Sequence, residues 1–189
     1  MTHHFINIFT YKYFLKNKEN AKFHLDGFLL QVLFALKFHK WIKKNSGLMF
    51  YYQQEFRNEI YLTAFPLDDH RQSIVLPNWD SLENVRVSKN ILEKLKKFDS
   101  IIIGISSPKQ DFLAQQILKV YPEKNIYCLG AAIYTKPLLN SDNVLNTSLT
   151  MLFSNPLRYS KKVYKSLAIF ISSIFIPKKS LIKLYEKIQ

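Results

Sequence analysis

One segment in the middle of the chain concentrates residues that could bind an anion. Residues 104–111 read GISSPKQD and follow a short β-branched run. Ser107 is a favoured N-cap residue, Pro108 suits the first helical position, and Gln110 stands where it can bond back to the cap. A helix that begins after a buried strand offers N–H groups and a positive dipole to an anion, and Lys109 adds a cation. The segment predicts either an ordinary helix cap or a site for an anionic ligand such as a nucleotide diphosphate.

A carboxylate with catalytic potential stands earlier in the chain, at Asp26. The pair Asp26-Gly27 directly precedes the apolar run at residues 28–38, which predicts a buried helix. An attacking hydroxyl has a pKa far above neutral pH, so a carboxylate that accepts its proton speeds the reaction. The alternative is that Asp26 only caps the helix. From the residues alone, both interpretations stay open.

The remaining polar residues indicate no metal centre. Cys128 is the only cysteine, which excludes an internal disulfide and a paired-cysteine zinc site and fits a reducing cytoplasm. The five histidines show no ligand spacing, no Asp-x-Asp motif occurs, and Asp68-Asp69-His70 predicts a solvated turn. We therefore expect a metal-independent protein in which Cys128 lies in a buried strand.

Alternating apolar patterns predict the elements that must position these residues. Strands are expected at 59–64, 100–105 and 125–129, and helices at 28–38, 82–98 and 108–120, the second of them after a capping box at 80–83. A strand-helix-strand unit of this kind is typical of parallel sheets. The predicted fold class is α/β, with a Rossmann-like core of mainly parallel sheet flanked by helices over residues 1–150. A basic helical C-terminal appendage at 151–189 is expected to follow.

The charge of the chain is concentrated near its C-terminal end. The net charge is +13 over 189 residues, and residues 156–189 hold eight basic residues against one acidic residue. Such a skew predicts an anionic partner. The apolar stretch at 167–176 is too short to cross a bilayer. We expect residues 156–189 to lie on an anionic membrane surface, with an ordinary solvated helix as the alternative, and we expect no nucleic-acid binding.

Several motifs resemble those of the WecG/TagA/CpsF glycosyltransferases, also called glycosyltransferase family 26. Residues 98–111 (FDSIIIGISSPKQD) resemble the strand and Gly-x-x-x-Pro-Lys-Gln-Glu signature of the family. Further similarity lies, in order, at INIFTY (6–11), HLDGFLL (24–30), IYL (60–62), LGAA (129–132) and PLRY (156–159). The chain is similar to a short and divergent, capsule-type member.

The resemblance implies a bacterial enzyme of surface-polysaccharide assembly, such as capsule or teichoic acid. It would transfer a sugar of N-acetylmannosamine type, or a related one, from a UDP-sugar to a lipid-diphosphate-linked acceptor. The UDP-sugar is then the donor substrate, and no cofactor is expected. The protein would lie in the cytoplasm, peripherally associated with the inner face of the cell membrane. An apolar face on its tail would allow a homo-oligomer.

The resemblance also implies which residues act. Asp26 matches the proposed general base of the family, and Asn7, Thr10 and Tyr11 match its donor-sugar loop. The other implied substrate contacts are Gly27, Lys44, Ser107, Lys109, Gln110, Gly130 and Arg158.

Departures from the family pattern favour a second interpretation. Lys44 stands where the family carries an arginine, and the acidic residue expected shortly after it is absent. Ile133-Tyr134 replaces a Phe-Asp pair after Gly130, and the stretch between Leu62 and Ser100 is shorter than in the family. The alternative is a catalytically weakened relative that binds a nucleotide sugar or a partner enzyme without turnover.

Overall fold

Six parallel strands form a single sheet that organises the molecule. The computed structural model describes residues 1–15, 21–67, 69–134 and 156–188. The strands are β1 (Thr2–Ile6), β2 (Ala21–Leu25), β3 (Glu59–Thr63), β4 (Ser73–Val75), β5 (Ser100–Gly104) and β6 (Asn125–Cys128). They lie in the order β2-β1-β6-β5-β3-β4, and every pairing is parallel. The predicted α/β class with a Rossmann-like core is confirmed.

Helices connect and cover these strands. Those in the described residues are α1 (Tyr11–Phe14), α2 (Phe28–Phe38), α3 (Gly47–Gln53), α4 (Lys89–Leu95), α5 (Lys109–Val120), a 3₁₀ helix (Gly130–Tyr134), α6 (Pro156–Ile174) and α7 (Lys178–Ile188). Helix α2 and the unit β5-α5-β6 lie where the apolar periodicity placed them, within one or two residues.

One face of the sheet holds most of the core. Side chains of paired residues on neighbouring strands point to the same face, and every second residue along a strand belongs to that face. Under α4 and α5 the core includes Ile60, Leu62, Ile101, Ile103, Leu113, Ile117 and Ile126. A second cluster joins β1 and β2 to α1, α2 and α7, and it includes Ile6, Phe23, Leu25, Leu30, Leu33, Phe34 and Leu181.

The opposite face is covered by shorter elements, α3 and the 3₁₀ helix. Its core consists of Phe5, Tyr61, Ile102, Leu129 and Ile133. Gly104 at the end of β5 lets the 3₁₀ helix approach closely, because a Cβ at this position would lie 1.9 Å from Cδ1 of Ile133. The chain after β6 therefore packs directly onto the end of β5.

The basic C-terminal helices are built into the second core cluster. Helix α7 buries Leu181 and Leu184, and its Tyr185 stacks on Phe38 of α2 with ring centroids 3.9 Å apart. The predicted boundary at residue 150 falls outside the described residues. In the part of the chain that the structure describes, no helix is both long and apolar enough to cross a membrane.

The helix expected at 82–98 is shorter than predicted. Helix α4 begins at Lys89, after Ser88, whose Oγ accepts a hydrogen bond from the Ile91 N–H. The capping box expected at 80–83 is wrong, because turns and irregular backbone precede Ser88.

Gln116 of α5 explains why the segment before Ser88 is not helical. Its side-chain oxygen accepts a hydrogen bond from the Val87 N–H over 3.2 Å, and its side-chain nitrogen donates to the Val85 carbonyl over 2.8 Å. These contacts satisfy backbone groups that a helix would otherwise pair.

Candidate functional site

The candidate site lies at the carboxyl edge of the sheet. In open parallel sheets, ligands bind outside the carboxyl ends of the strands. Here β1 is followed by Asn7, β2 by Asp26-Gly27, β5 by residues 105–107 and β6 by Leu129-Gly130. Because β1 and β6 are neighbours, the loops after them adjoin at the centre of this edge. The fold thus brings most of the predicted site residues to one side of the molecule.

Asp26, Gly27 and Asn7 form the first part of the site. The Asp26 N–H donates to the Ile6 carbonyl over 2.7 Å, which holds the end of β2 beside β1. Gly27 has a φ of 94°, a conformation that favours glycine, and a Cβ there would lie 3.4 Å from the Asn7 Cβ. Gly27, and not Asp26, occupies the N-cap position of α2. The interpretation of Asp26 as the cap of this helix is therefore wrong.

Polar groups of the loop after β1 fold that loop. The Asn7 Oδ1 atom accepts a hydrogen bond from the Phe9 N–H over 2.9 Å, and the Thr10 Oγ1 atom accepts one from the Asn7 N–H over 3.1 Å. Thr10 is 6% exposed, so it shapes the loop more than it faces solvent. The Asn7 side-chain NH₂ makes no hydrogen bond to a described residue.

Tyr11 is the predicted site residue that does not reach this edge. Its side chain is fully buried, and its hydroxyl donates to Ser173 of α6 over 2.5 Å. Tyr11 therefore joins α1 to α6, and its position gives no surface for the substrate contact that the resemblance implies.

Gln110 and Gly130 form the second part of the site. Gln110, on the first turn of α5, is 4% exposed, and Gly130 has a φ of 57°. A Cβ at Gly130 would lie 3.6 Å from the Gln110 Oε1 atom. This Oε1 atom is buried and has no hydrogen-bond partner within the described residues. The bond from Gln110 back to a helix cap is thus not made, and a buried carbonyl oxygen faces the edge with its acceptor capacity unused.

The start of α5 differs from the predicted cap. Pro108 occupies the N-cap position, so the assignment of Ser107 as N-cap is wrong. The Ser107 hydroxyl instead donates to the Asp111 carboxylate, whose other oxygen lies 2.7 Å from Nδ1 of His4. This buried array ties β1 to α5 and to the loop after β5. No local sequence pattern indicates the pairing of His4 with Asp111, because these residues are 107 positions apart and meet only through the strand order.

His4, Asp111 and Cys128 bring three metal-binding side-chain types together in the described core. All three are buried, and their ligand atoms lie within 4.8 Å of one another. Two ligands of a tetrahedral zinc ion would lie about 3.3 Å apart, since each bond to zinc is about 2.0–2.1 Å long. The separation of 2.7 Å between His4 and Asp111 is that of a hydrogen bond. The geometry supports a structural array that positions the loop after β5.

A cleft of about 180 Å³ lies at the carboxyl ends of β3, β4 and β5. Its lining includes Ala64, Phe65, Leu76, Trp79, Ser106 and Lys109. The Lys109 ammonium donates one hydrogen bond to the Trp79 carbonyl. Its other N–H groups have no hydrogen-bond acceptor among the described residues. A half-buried cation therefore lies beside the loop after β5.

The two other predicted cations are Lys44 and Arg158. Lys44 is exposed, and the N–H of the following Asn45 donates to the Leu25 carbonyl at the end of β2 over 2.9 Å. Lys44 is therefore near the Asp26 end of the site. Arg158 lies in the first turn of α6, and its side chain is outside the described residues.

A layer of stacked histidines lies on the face of the sheet that α3 covers. His3 and His24 stack with ring centroids 5.2 Å apart and share a hydrogen bond of 3.0 Å. Burial lowers the pKa of each to about 4, and nearby positive charge, including that of Lys22, adds to this effect. Phe5 and Phe50 complete the aromatic layer around His24.

The acidic turn after β3 has a bracing role that the sequence did not reveal. Asp68 lies outside the described residues, while Asp69 is exposed and pairs with Arg71, which holds the pKa of the Asp69 carboxyl below its usual range. The Arg71 guanidinium also donates to the Tyr51 hydroxyl and the Ile133 carbonyl. Arg71 therefore fixes this loop to α3 and to the 3₁₀ helix.

Comparison with known proteins identifies no relative. No protein-family model, curated protein or solved structure matches the chain. The resemblance to the glycosyltransferase family therefore stays a prediction from the motifs.

Proposed function

We propose that the protein transfers a sugar from a UDP-sugar to a lipid-diphosphate-linked acceptor in the assembly of a bacterial surface polysaccharide. The observation that carries this proposal is the convergence of Asp26, Asn7, Gln110 and Gly130 at the carboxyl edge of a parallel sheet. These residues come from four separate motifs of the family resemblance. A sugar of N-acetylmannosamine type is the proposed cargo.

The two parts of the site suit the two ends of a nucleotide-sugar donor. Neighbouring strands are about 4.8 Å apart, so the ends of β2 and β5, three steps apart in the sheet, are separated by about 14 Å. An extended UDP-sugar spans a comparable distance. We assign the sugar to the side of Asn7 and Asp26 and the diphosphate to the Lys109 ammonium. The Gln110 Oε1 atom can only accept a hydrogen bond, so we assign it to a hydroxyl or N–H group of the uridine.

The proposed chemistry is a single displacement that inverts the anomeric carbon. The acceptor hydroxyl oxygen bonds to that carbon while its proton passes to the Asp26 carboxylate. The bond between the carbon and the phosphate oxygen breaks, and its electron pair leaves with UDP. The charge that develops on the phosphate is stabilised by the Lys109 ammonium and the N-terminal end of α5.

The same site also fits the alternative of a relative that binds a nucleotide sugar without turnover. The site retains Gln110 and Asp26, but Lys44 replaces an arginine of the family and lacks the following acid. This arrangement would preserve a binding edge while weakening catalysis.

A donor screen separates these two functions. The full chain is incubated with a panel of UDP-sugars and a lipid-diphosphate acceptor, and the products are measured by mass spectrometry. Mass added to the acceptor, together with free UDP, supports transfer. Saturable UDP-sugar binding without a product supports the non-catalytic relative, and the absence of both binding and product contradicts the proposed function.

A further inference from the structure

We propose that residues 28–44 form a second membrane-contact surface, continuous with the apolar side of α6. The expected contact through residues 156–189 is then only half of a larger surface that faces an anionic bilayer. The lipid-linked acceptor rests on the proposed function, whereas exposed apolar residues and lysines define the surface.

Helix α2 exposes an apolar stripe beside the candidate base. Phe28 is 63% exposed and Leu36 is 56% exposed, and Val32 lies between them at helical spacing. Trp41, 58% exposed, meets Phe28 edge to face with ring centroids 6.4 Å apart. Large aromatic rings at such positions suit the boundary between lipid and water.

Helix α6 exposes a second stripe of the same character. Val163, Leu167, Ile171 and Ile174 recur every three or four residues and are all exposed. Phe175, which follows the helix, is 82% exposed. The helix packs its other side into the core through Ile169, Phe170 and Ser173, so the apolar stripe is additional to its protein contacts.

The two stripes meet at the ends of their helices. The Lys37 ammonium of α2 donates to the Ile174 carbonyl of α6 over 2.5 Å. Leu36 directly precedes Lys37, and Phe175 directly follows Ile174, so each side of this contact carries an exposed apolar residue in the adjoining position. The part of the chain that the structure describes provides no cover for either stripe.

The charge around these stripes favours an anionic lipid surface as the occupant. Residues 27–54 contain four lysines and no acidic residue, and three of these lysines stand within Lys40-Trp41-Ile42-Lys43-Lys44. Near α6, Lys161 of that helix and Lys178 and Lys179 of α7 are exposed. Exposed apolar residues with lysines around them are typical of a surface that binds at the membrane interface. The aliphatic part of each lysine contacts lipid while its ammonium stays at the anionic headgroups. A second copy of this positive chain would be repelled at the same place.

This orientation has a consequence for the candidate site. Asp26 and Gly27 directly precede the exposed Phe28, so a membrane that contacts Phe28 and Trp41 holds Asp26 close to the lipid headgroups. An acceptor could then keep its lipid tail in the bilayer while its diphosphate-linked sugar reaches Asp26.

The test uses the full chain and the intrinsic fluorescence of Trp41. Trp79, the other tryptophan, is 9% exposed and provides a nearly constant background, which a Trp41→Phe variant measures directly. Vesicles of mixed phosphatidylglycerol and phosphatidylcholine should shift the Trp41 emission to shorter wavelength, and lipids with a quenching group in the acyl chain should quench it. An unshifted and unquenched Trp41 would overturn the inference.

A matched pair of variants tests the contribution to binding. Phe28→Ser/Leu36→Ser/Trp41→Ser should lower partitioning to the mixed vesicles by about ten-fold, because apolar burial drives interfacial binding. The control Val75→Ser/Leu82→Ser/Val120→Ser removes three exposed apolar residues elsewhere and should bind like the wild type. Equal loss in both variants would contradict the inference. So would a loss of self-association, measured by sedimentation velocity without lipid, that leaves vesicle binding unchanged.

Failure of this inference can be distinguished from failure of the proposed function. Vesicle binding requires no turnover, so a protein that binds through Trp41 but transfers no sugar contradicts the proposed function alone. Sugar transfer by a protein whose Trp41 stays in water contradicts the membrane surface alone.

Discussion

At the scale of single residues, the most informative group is the side-chain carbonyl of Gln110. Burial of a polar atom without a partner costs about 1–3 kcal/mol, so this atom opposes folding. Gln116 lies on the same helix and is bonded at both ends of its amide. Gln110 therefore lowers the stability of the fold and Gln116 raises it, so the two residues form a matched comparison.

Substitution of each glutamine by methionine should change stability in opposite directions. Gln110→Met removes a carbonyl without a partner and should raise the free energy of unfolding by about 1 kcal/mol, while UDP binding weakens. Gln116→Met leaves the Val87 N–H unpaired, while the Val85 carbonyl keeps its hydrogen bond from Arg86, and the change should lower the free energy of unfolding by about 1–3 kcal/mol. Urea unfolding measures the stability of both variants, and calorimetric titration with UDP measures the binding by Gln110→Met. A stability loss in Gln110→Met with unchanged UDP affinity would mean that Gln110 is only structural.

The His3–His24 pair makes folding stability depend on pH. Burial lowers the pKa of both residues from 6.5 to about 4 in the folded protein. Between these pH values the unfolded chain binds more protons than the folded one, so stability falls as the pH is lowered through this range. We expect the melting temperature of His24→Gln to fall less steeply than that of the wild type. His70→Gln, a change at an exposed histidine, should follow the wild-type profile, and a His24→Gln profile as steep as the wild type would contradict the account.

The sequence predicted individual site residues better than their partners. Asp26 and Gln110 stand in motifs whose local spacing already indicates a loop after a strand and a helix start. The bond between His4 and Asp111 could not be predicted in this way, because no local pattern joins the first strand to the fifth helix. The role of Ser107 changed for the same reason, since its hydroxyl serves this long-range array and does not cap α5.

At the scale of elements, the contact between the 3₁₀ helix and the end of β5 shapes the site. It places Gly130 beside Gln110, and it depends on the missing side chain of Gly104. The closeness of Gly104 to Ile133 makes this contact testable by substitution.

Gly104→Ala should destabilise the protein by about 1–3 kcal/mol, because the new methyl group overlaps the Ile133 side chain. In the background of Ile133→Ala, which is itself destabilising, the extra cost of Gly104→Ala should largely disappear. A double-mutant cycle by urea unfolding measures this coupling. Strictly additive effects would show that the two positions do not compete for the same space.

Element prediction succeeded where an apolar pattern was uniform and failed where tertiary contacts decide. The β-branched run of β5 and the apolar α2 were predicted directly. β1 (THHFI) and β2 (AKFHL) were not predicted as strands, because His3 and His24 occupy a face that is covered by aromatic rings. Their polarity hides the alternation that otherwise marks a half-buried strand.

At the scale of the whole molecule, charge and exposed apolar surface are arranged around one end of the sheet. The basic residues near the C-terminal end lie on α6 and α7, which pack against α2 and β2. Some apolar residues of these two helices are therefore buried in the core and stabilise the fold. Other apolar residues of α6 are exposed and adjoin the exposed stripe of α2. The sequence showed the charge of the tail, but only the packing of α2 against α6 reveals a continuous surface beside Asp26.

The measurement that tests the central claim most directly is the rate of sugar transfer by Asp26→Asn with the donor and acceptor that the screen identifies. The account predicts that kcat falls by about 10²–10⁴-fold, the usual contribution of a general base, with the melting temperature and UDP binding preserved. Asp80→Asn, which neutralises an exposed carboxylate in the loop after β4, should retain wild-type transfer. Equal turnover by the wild type and Asp26→Asn would contradict the assignment of Asp26 as the base.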